Sequence, residues 1–180
     1  DYVISKNSKV FVPKVLWQGK SLCDLPPYCE LPEKFVIKAN HASGTNYIVK
    51  DGNYPSKFEL TKLEKNWRKT RIDKTFVEWG YSDIPITFFV EEYLDFSDFV
   101  PVDYKFWVFS GRVEFVQIDT QRFINHQRGF FDRNGNRLPF LLTYPGIEAP
   151  VYMPNNYADM ITIAEDLSSK LDFIRVDLYT

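Results

Sequence analysis

The chain has 180 residues, 44% of them hydrophobic and 26% charged, which suits one cored domain or two small lobes and argues against a disordered chain. Its 22 basic and 24 acidic residues leave a formal net charge of -2, which argues against a general nucleic-acid or anionic-membrane surface, so any anion has to be met locally. No apolar run approaches the roughly 18 residues of a spanning helix, and the opening DYVISKNSK carries neither an initiating Met nor an apolar signal core, so a soluble chain cut from a longer one is expected.

The only cysteines, Cys23 and Cys29 in CDLPPYC, lack a second pair and a nearby His to complete a zinc set. Two reduced thiols are the first reading, with a small-loop disulfide as the alternative. The proline-bearing stretch from Pro26 to Pro32 reads as a connector, which places a boundary near Glu33. FVIKA (35–39) and YIVK (47–50) are short β-branched and aromatic runs around a polar loop, which predicts an antiparallel pair. Alternation turns Phe35 and Ile37 to one face and Val36 and Lys38 to the other, where Lys38 either reaches solvent or meets an anion. The loop His41-Ala42-Ser43-Gly44-Thr45-Asn46 is small and hydroxyl-bearing, and its glycine lets backbone N–H groups approach a phosphate closely. It matches neither the triple-glycine nucleotide fingerprint nor a Walker loop.

Ser56-Lys57-Phe58-Glu59 has capping-box spacing, and Leu60, Leu63 and Trp67 recur at helical intervals, which predicts a helix over about 56–70. ITFFVEEYL (86–94) reads as a buried strand running into a hinge. Glu91-Glu92-Tyr93-Leu94 there either presents backbone groups to a planar base or is a strand end with solvated acids. DYKFWVF (103–109), a turn at Ser110-Gly111-Arg112, and VEFVQID (113–119) predict a hairpin. Asp103 and Lys105 share a face of its first strand, as ligand contacts or as a surface ion pair.

Asp119 and Arg122 are expected just beyond that hairpin, where Arg122 could grip a carboxylate or phosphate in a bidentate fork. His41 and His126 are too few and too isolated for a metal cluster and read as polar loop residues. Extended chain near Arg128 to Phe131 precedes a turn at Asp132 to Asn136, and Asn156 with Asp159 opens a helix whose stripe is Met160, Ile161, Ala164, Leu167 and Leu171. The last strand, FIRVDLY (173–179), carries Arg175 and Asp177 into what should be a core, where a buried charge needs a partner or a metal.

The order of these pieces resembles the ATP-grasp superfamily. More narrowly, FVIKANHASG, DIPITFFVEEYL, DYKFWVFSGRVEFVQID and FIRVDLY look like its TupA-like branch, associated with teichuronopeptide and capsular polysaccharide biosynthesis. The resemblance implies an α+β ATP-grasp fold, two lobes of mainly antiparallel sheet with flanking helices. Residues 1–32 would form an N-terminal connector or partial lobe, 33–94 the small subdomain and 95–180 an incomplete C-terminal subdomain. It implies ATP and Mg²⁺ as cofactors. Lys38 would contact ATP phosphate under a flap of His41, Ser43 and Gly44, with Lys50 and Lys105 as further nucleotide contacts. Glu91, Glu92, Tyr93 and Leu94 would hold adenine, and Asp103 would face the ribose. Arg122 and Arg175 would stabilise the transferred phosphoryl group or an acyl phosphate, and Asp177 would bind magnesium.

The activity implied is that of a bacterial carboxylate–amine ligase acting on surface polysaccharide. A carboxylate, of a uronic acid in a glycan or sugar precursor, would be activated as an acyl phosphate and attacked by an amino acid, in the cytoplasm at the periphery of the assembly machinery. Two features depart from the branch: HASGTN has alanine where a second glycine is common, and relatives continue past RVDLY to a glutamate that completes the magnesium site. Two alternatives stand beside this reading. One is a non-catalytic carbohydrate-binding domain stacking sugars on Trp79, Tyr81 and Trp107. The other is an ATP-grasp member that binds nucleotide without ligase turnover.

Overall fold

The computed structural model describes residues 2–7, 9–70, 81–96, 101–121 and 124–179. These fall into two units, one from Pro13 to Asp95 and the other made of Asp1–Val12 with Phe96–Thr180.

The first unit is a four-stranded antiparallel sheet built from β1 (Val15–Gly19), β2 (Phe35–Ala39), β3 (Asn46–Val49) and β4 (Phe88–Glu92), in the order β1-β4-β2-β3. The expected pairing of FVIKA with the following run is present, with Phe35 opposite Val49 and Lys38 opposite Asn46. β1 comes from the stretch read as a connector and pairs with β4 through a register shift between Val15 and Trp17. Alternation along β2 buries Phe35, Ile37 and Ala39 and leaves Val36 and Lys38 half-buried on the other face.

The apolar face is covered by α2 (Lys57–Trp67), whose start is fixed by the predicted capping box: Ser56 Oγ accepts from the Glu59 N–H and the Glu59 carboxylate accepts from the Ser56 N–H. Leu60 and Trp67 from this helix close a core with Leu22, Phe35, Ile37, Phe88 and Val90. The helix is shorter than the predicted 56–70. β4 ends at Glu92, within the stretch expected to run into a hinge, because Phe35, its partner at Glu92, is the first residue of β2 and offers no further ladder.

The second unit holds β5 (Asp103–Phe109), β6 (Arg112–Thr120), β7 (Gln127–Asp132) and β8 (Phe173–Tyr179), antiparallel in the order β7-β6-β5-β8, with α1 (Tyr2–Lys6) and α3 (Tyr157–Leu167). The β5–β6 hairpin turns on Ser110 and Gly111, both with positive φ (47° and 82°), the geometry that a two-residue hairpin loop of matching twist requires. Phe106, Val108, Val116 and Ile118 from one sheet face pack with Met160, Ile161 and Ala164 of α3. Leu171, expected in this helix, lies outside it, since Lys170 at φ 77° has already turned the chain. Asn156 stands at the N-cap without a side-chain cap bond.

Two placements differ from expectation. Asp119 lies within β6, because that strand continues to Thr120. FIRVDLY is the sheet's edge strand rather than a core strand: only Val176 is buried, and Arg175 and Asp177 are exposed.

Phe106 is fully buried on β5 and Phe109, three residues on, is 41% exposed. Phe106→Ala is expected to cost about 3–5 kcal/mol and Phe109→Ala about 1 kcal/mol or less; urea unfolding of the two variants checks the assigned faces.

Candidate functional site

The polar face of the second sheet gathers charge from every strand. Cross-strand partners share a face, and the register sets Asp103 opposite Asp119 and Tyr179, Lys105 opposite Gln117 and Asp177, and Asp119 opposite Arg128. Two carboxylates directly opposite each other repel, so the pair requires a cation. Lys105 supplies it: its ammonium pairs with Asp103 and lies 3.6 Å from Asp119 and 3.7 Å from Asp177.

Asp119 is the most heavily engaged member. Arg128 grips it in a fork (2.6 and 3.2 Å), Gln117 donates to it at 2.9 Å, and His126 Nε2 sits 3.2 Å away at an angle short of an aligned hydrogen bond. Burial opposes its ionisation, but the bonds from Arg128 and Gln117, with the nearby His126 ring, outweigh that penalty and bring its pKa from 3.8 to about 2. Tyr144 covers this corner, stacked on His126 at 3.7 Å with the Arg128 guanidinium 4.7 Å from its ring.

At the edge strand Arg175 donates to both oxygens of Asp177 (2.8 and 3.0 Å) and lies 5.9 Å from the Trp107 ring. Beyond it the face becomes aromatic, with Trp107 packed against Phe115 at 5.2 Å and Phe173 at 5.8 Å. Trp107 therefore belongs to a ring cluster, and Trp79 lies outside the described residues.

In the first unit Lys38 pairs with Glu91 across β2 and β4, on the sheet face away from α2. Glu92 donates its N–H to the Lys14 carbonyl at 3.0 Å, and Lys34 lies 6.0 Å from the Tyr93 ring. Leu94 is half-buried just past the strand. In the 41–46 loop Ser43 and Gly44 are exposed, and Gly44 has φ 74° with open space where a Cβ would stand. His41 is buried, with Nε2 2.8 Å from the Trp67 carbonyl, so its ring ties the loop to the end of α2. Lys50 is exposed at the end of β3 and makes no ion pair among the described residues.

The structure therefore brings Asp103, Lys105, Arg175 and Asp177 together on one face, and Lys38 with Glu91 on another. Arg122 lies outside the described residues. Sequence reasoning missed Gln117, His126 and Arg128. The signal for Gln117 was present: a polar pair two apart on an otherwise apolar strand, Gln117 and Asp119, repeats the spacing of Asp103/Lys105 and Arg175/Asp177. His126 and Arg128 follow only from register.

For magnesium the donor set is thin. Among the described residues no three His, Cys, Asp or Glu side chains are grouped to hold a metal. Asp177 is an oxygen ligand 35% exposed, which fits an ion that takes one or two carboxylates and fills its octahedron with phosphate and water. The same lone pairs now accept from Arg175, so the ion and the guanidinium would compete for them. Both cysteines are free and exposed, and among the described residues no helix is long and apolar enough to cross a membrane.

The described residues thus form two antiparallel sheets, each with a cation–carboxylate pair on its polar face. The profile of the TupA-like ATPgrasp family matches residues 7–180, and the chain belongs to that family. Among solved structures, the ATP-grasp ligase PsnB complexed with minimal precursor aligns with 99% of this chain and 46% of its own, at a TM-score of 0.43 and 10% identity. The chain thus spans about half the length of that protein. No curated protein matches it in sequence.

Asp119 is held ionised by bonds that exist only in the folded state, so its contribution is fully present above pH 3.8 and lost as pH falls toward about 2. Over that window the wild type is expected to lose roughly 2 kcal/mol attributable to this residue. Acid unfolding of Asp119→Asn, lower in stability at pH 7 but flatter below pH 4, checks it; an equally steep acid limb in the variant would contradict the assignment.

Proposed function

We propose that this chain forms the nucleotide-binding part of an ATP-dependent carboxylate–amine ligase that modifies a surface polysaccharide in the cytoplasm, joining the carboxylate of a uronic acid to an amino acid. Family membership over residues 7–180 carries the reading, and the paired cations on the polar faces of the two sheets support it.

Lys38 is the phosphate contact. Its present partner Glu91 is a carboxylate on the strand leading to the unit boundary, and its side chain is 36% exposed, so exchanging that partner for a phosphate costs little, exposed ion pairs being worth about 1 kcal/mol or less. Ser43 and Gly44 offer backbone N–H groups over the phosphates, and the buried His41 anchors their loop rather than touching nucleotide. Lys50 adds a second charge. Glu91, Glu92, Tyr93 and Leu94 present backbone groups and an apolar wall to adenine, whereas Asp103, proposed from the sequence for the ribose, is buried and holds Lys105.

Lys105 and Arg175 neutralise phosphate charge as the γ-phosphoryl group moves to the substrate carboxylate, and Arg122 has the chemistry to share that task. Magnesium, when bound, would be held by Asp177 and the nucleotide phosphates, and it supplies charge neutralisation of the phosphate oxygens. Arg175, exchanging Asp177 for substrate, would grip the acyl phosphate or the carboxylate in a bidentate fork.

Lys38→Ala is expected to weaken Mg-ATP binding by an order of magnitude or more, a charged hydrogen bond being worth roughly 1.5–3 kcal/mol. Calorimetric titration of the two proteins tests it, and an unchanged affinity would remove Lys38 from the nucleotide site. Product analysis with ATP, a uronic acid and an amino acid separates ligase from mere nucleotide binder: ADP and an amide should appear together, and ADP without amide would defeat the ligase reading.

A further inference from the structure

Amide formation requires a neutral amine, and an amino acid arrives at neutral pH as its ammonium form, so a group beside the acyl phosphate has to accept a proton. We propose that His126 is that general base and that Asp119 is its positioning residue; this rests on the ligase reading above.

The arrangement has the parts such a pair needs. Asp119 is buried, its side chain 2% exposed, and the Arg128 fork and the Gln117 amide fix both of its oxygens. It stays a carboxylate across the working pH range and faces one nitrogen of the ring, His126 Nε2, at 3.2 Å. A carboxylate there favours the tautomer with the proton on Nε2, which leaves the lone pair on Nδ1. Nδ1 makes no hydrogen bond to any described residue, and the ring keeps 17% of its side-chain surface open.

Tyr144, stacked on the ring at 3.7 Å, sets the plane in which Nδ1 points. Among the described residues, the charged and titratable groups facing His126 are Asp119 from β6, Arg128 from β7 and Tyr144 from the following loop. The first two already neutralise each other, so a positive imidazolium adds one charge to a balanced corner. Through Asp119 the base is continuous with Lys105, 3.6 Å away, the cation assigned to the phosphate.

The step balances as follows. The ammonium gives one proton to His126 Nδ1, and the freed nitrogen lone pair forms the C–N bond at the acyl-phosphate carbon. The C–O bond to phosphate breaks, phosphate leaves with that electron pair, and it takes the second proton from nitrogen to depart as hydrogen phosphate. His126 then releases its proton to solvent.

Hydroxylamine provides the test, because it is largely neutral at pH 7 and needs no base. The whole protein is assayed with ATP, glucuronate and either glutamate or hydroxylamine, and ADP, amide and hydroxamate are measured. His126→Gln is expected to cut amide formation about 100-fold or more, the usual scale of a positioned base, while the ratio of hydroxamate to amide rises at least 30-fold. Added imidazole should restore amide formation in His126→Ala.

Equal losses with both amines and no imidazole rescue would mean that His126 is structural and would overturn the proposal. Unchanged amide formation would overturn it directly. If the wild type yields no ADP with either amine, the ligase reading itself fails and the assignment falls with it. Nucleotide affinity of each variant, measured alongside, identifies any loss that comes from misfolding.

Discussion

The Lys105 ammonium, set among three carboxylates, is the interaction on which the second sheet depends. Asp103 and Asp119 stand opposite each other with side chains 2% exposed. At about 4 Å and an effective dielectric near 20, two like charges repel by roughly 4 kcal/mol, and the Lys105 and Arg128 cations convert that repulsion into attraction. Removing one member of so buried a set leaves a charge without compensation, a loss of about 3–5 kcal/mol. Burial then relaxes toward the edge of the sheet, from 2% exposure at Asp119 to 35% at Asp177 and 45% at Arg175. The inner members are fixed and the outer pair is exchangeable, which is the division of labour a site needs if it is to be preorganised yet admit a ligand.

The first sheet uses the same device at lower burial. Lys38 is a cation held by one carboxylate, 36% and 15% exposed. An ion pair in that setting holds a lysine ready without committing it. The loop beyond it is held by the His41 ring on the Trp67 carbonyl and by the Thr45 hydroxyl on the Ala39 and Ala42 carbonyls, and is open at Gly44. Strand alternation does the first part of this work, because burying Phe35 and Ile37 forces Lys38 outward.

Much of this was legible in sequence wherever a local period decides the answer. Lys38, the capping box at Ser56, the Ser110-Gly111 turn and the shared face of Asp103 and Lys105 each depend on residues within a few positions of one another. What was not legible depends on partners far along the chain. β1 has no strong pattern of its own and forms because β4 offers an edge. Arg175 and Asp177 look like core residues in FIRVDLY until the strand order makes β8 an edge. His126 sits in a polar stretch with no period, and only the pairing of Asp119 with Arg128 brings its neighbourhood together. The order of motifs along the chain carried the family, since that order survives where any one motif is weak.

Strand β5 ties these observations to the fold itself. Asp103 and Lys105 lie on one of its faces, and Tyr104, Phe106 and Val108 on the other. A slip of one residue would drive two charges into the core under α3 and expose three large apolar side chains, so the site residues also fix the register. Fold and chemistry are therefore confounded at Asp103, Lys105 and Asp119, where any substitution disturbs the sheet before it reports on a reaction. They separate at the rim. Arg175, Asp177 and His126 carry functional groups with little of the sheet's stability resting on them, and the edge strand and the open loop are where substitutions can be read as chemistry.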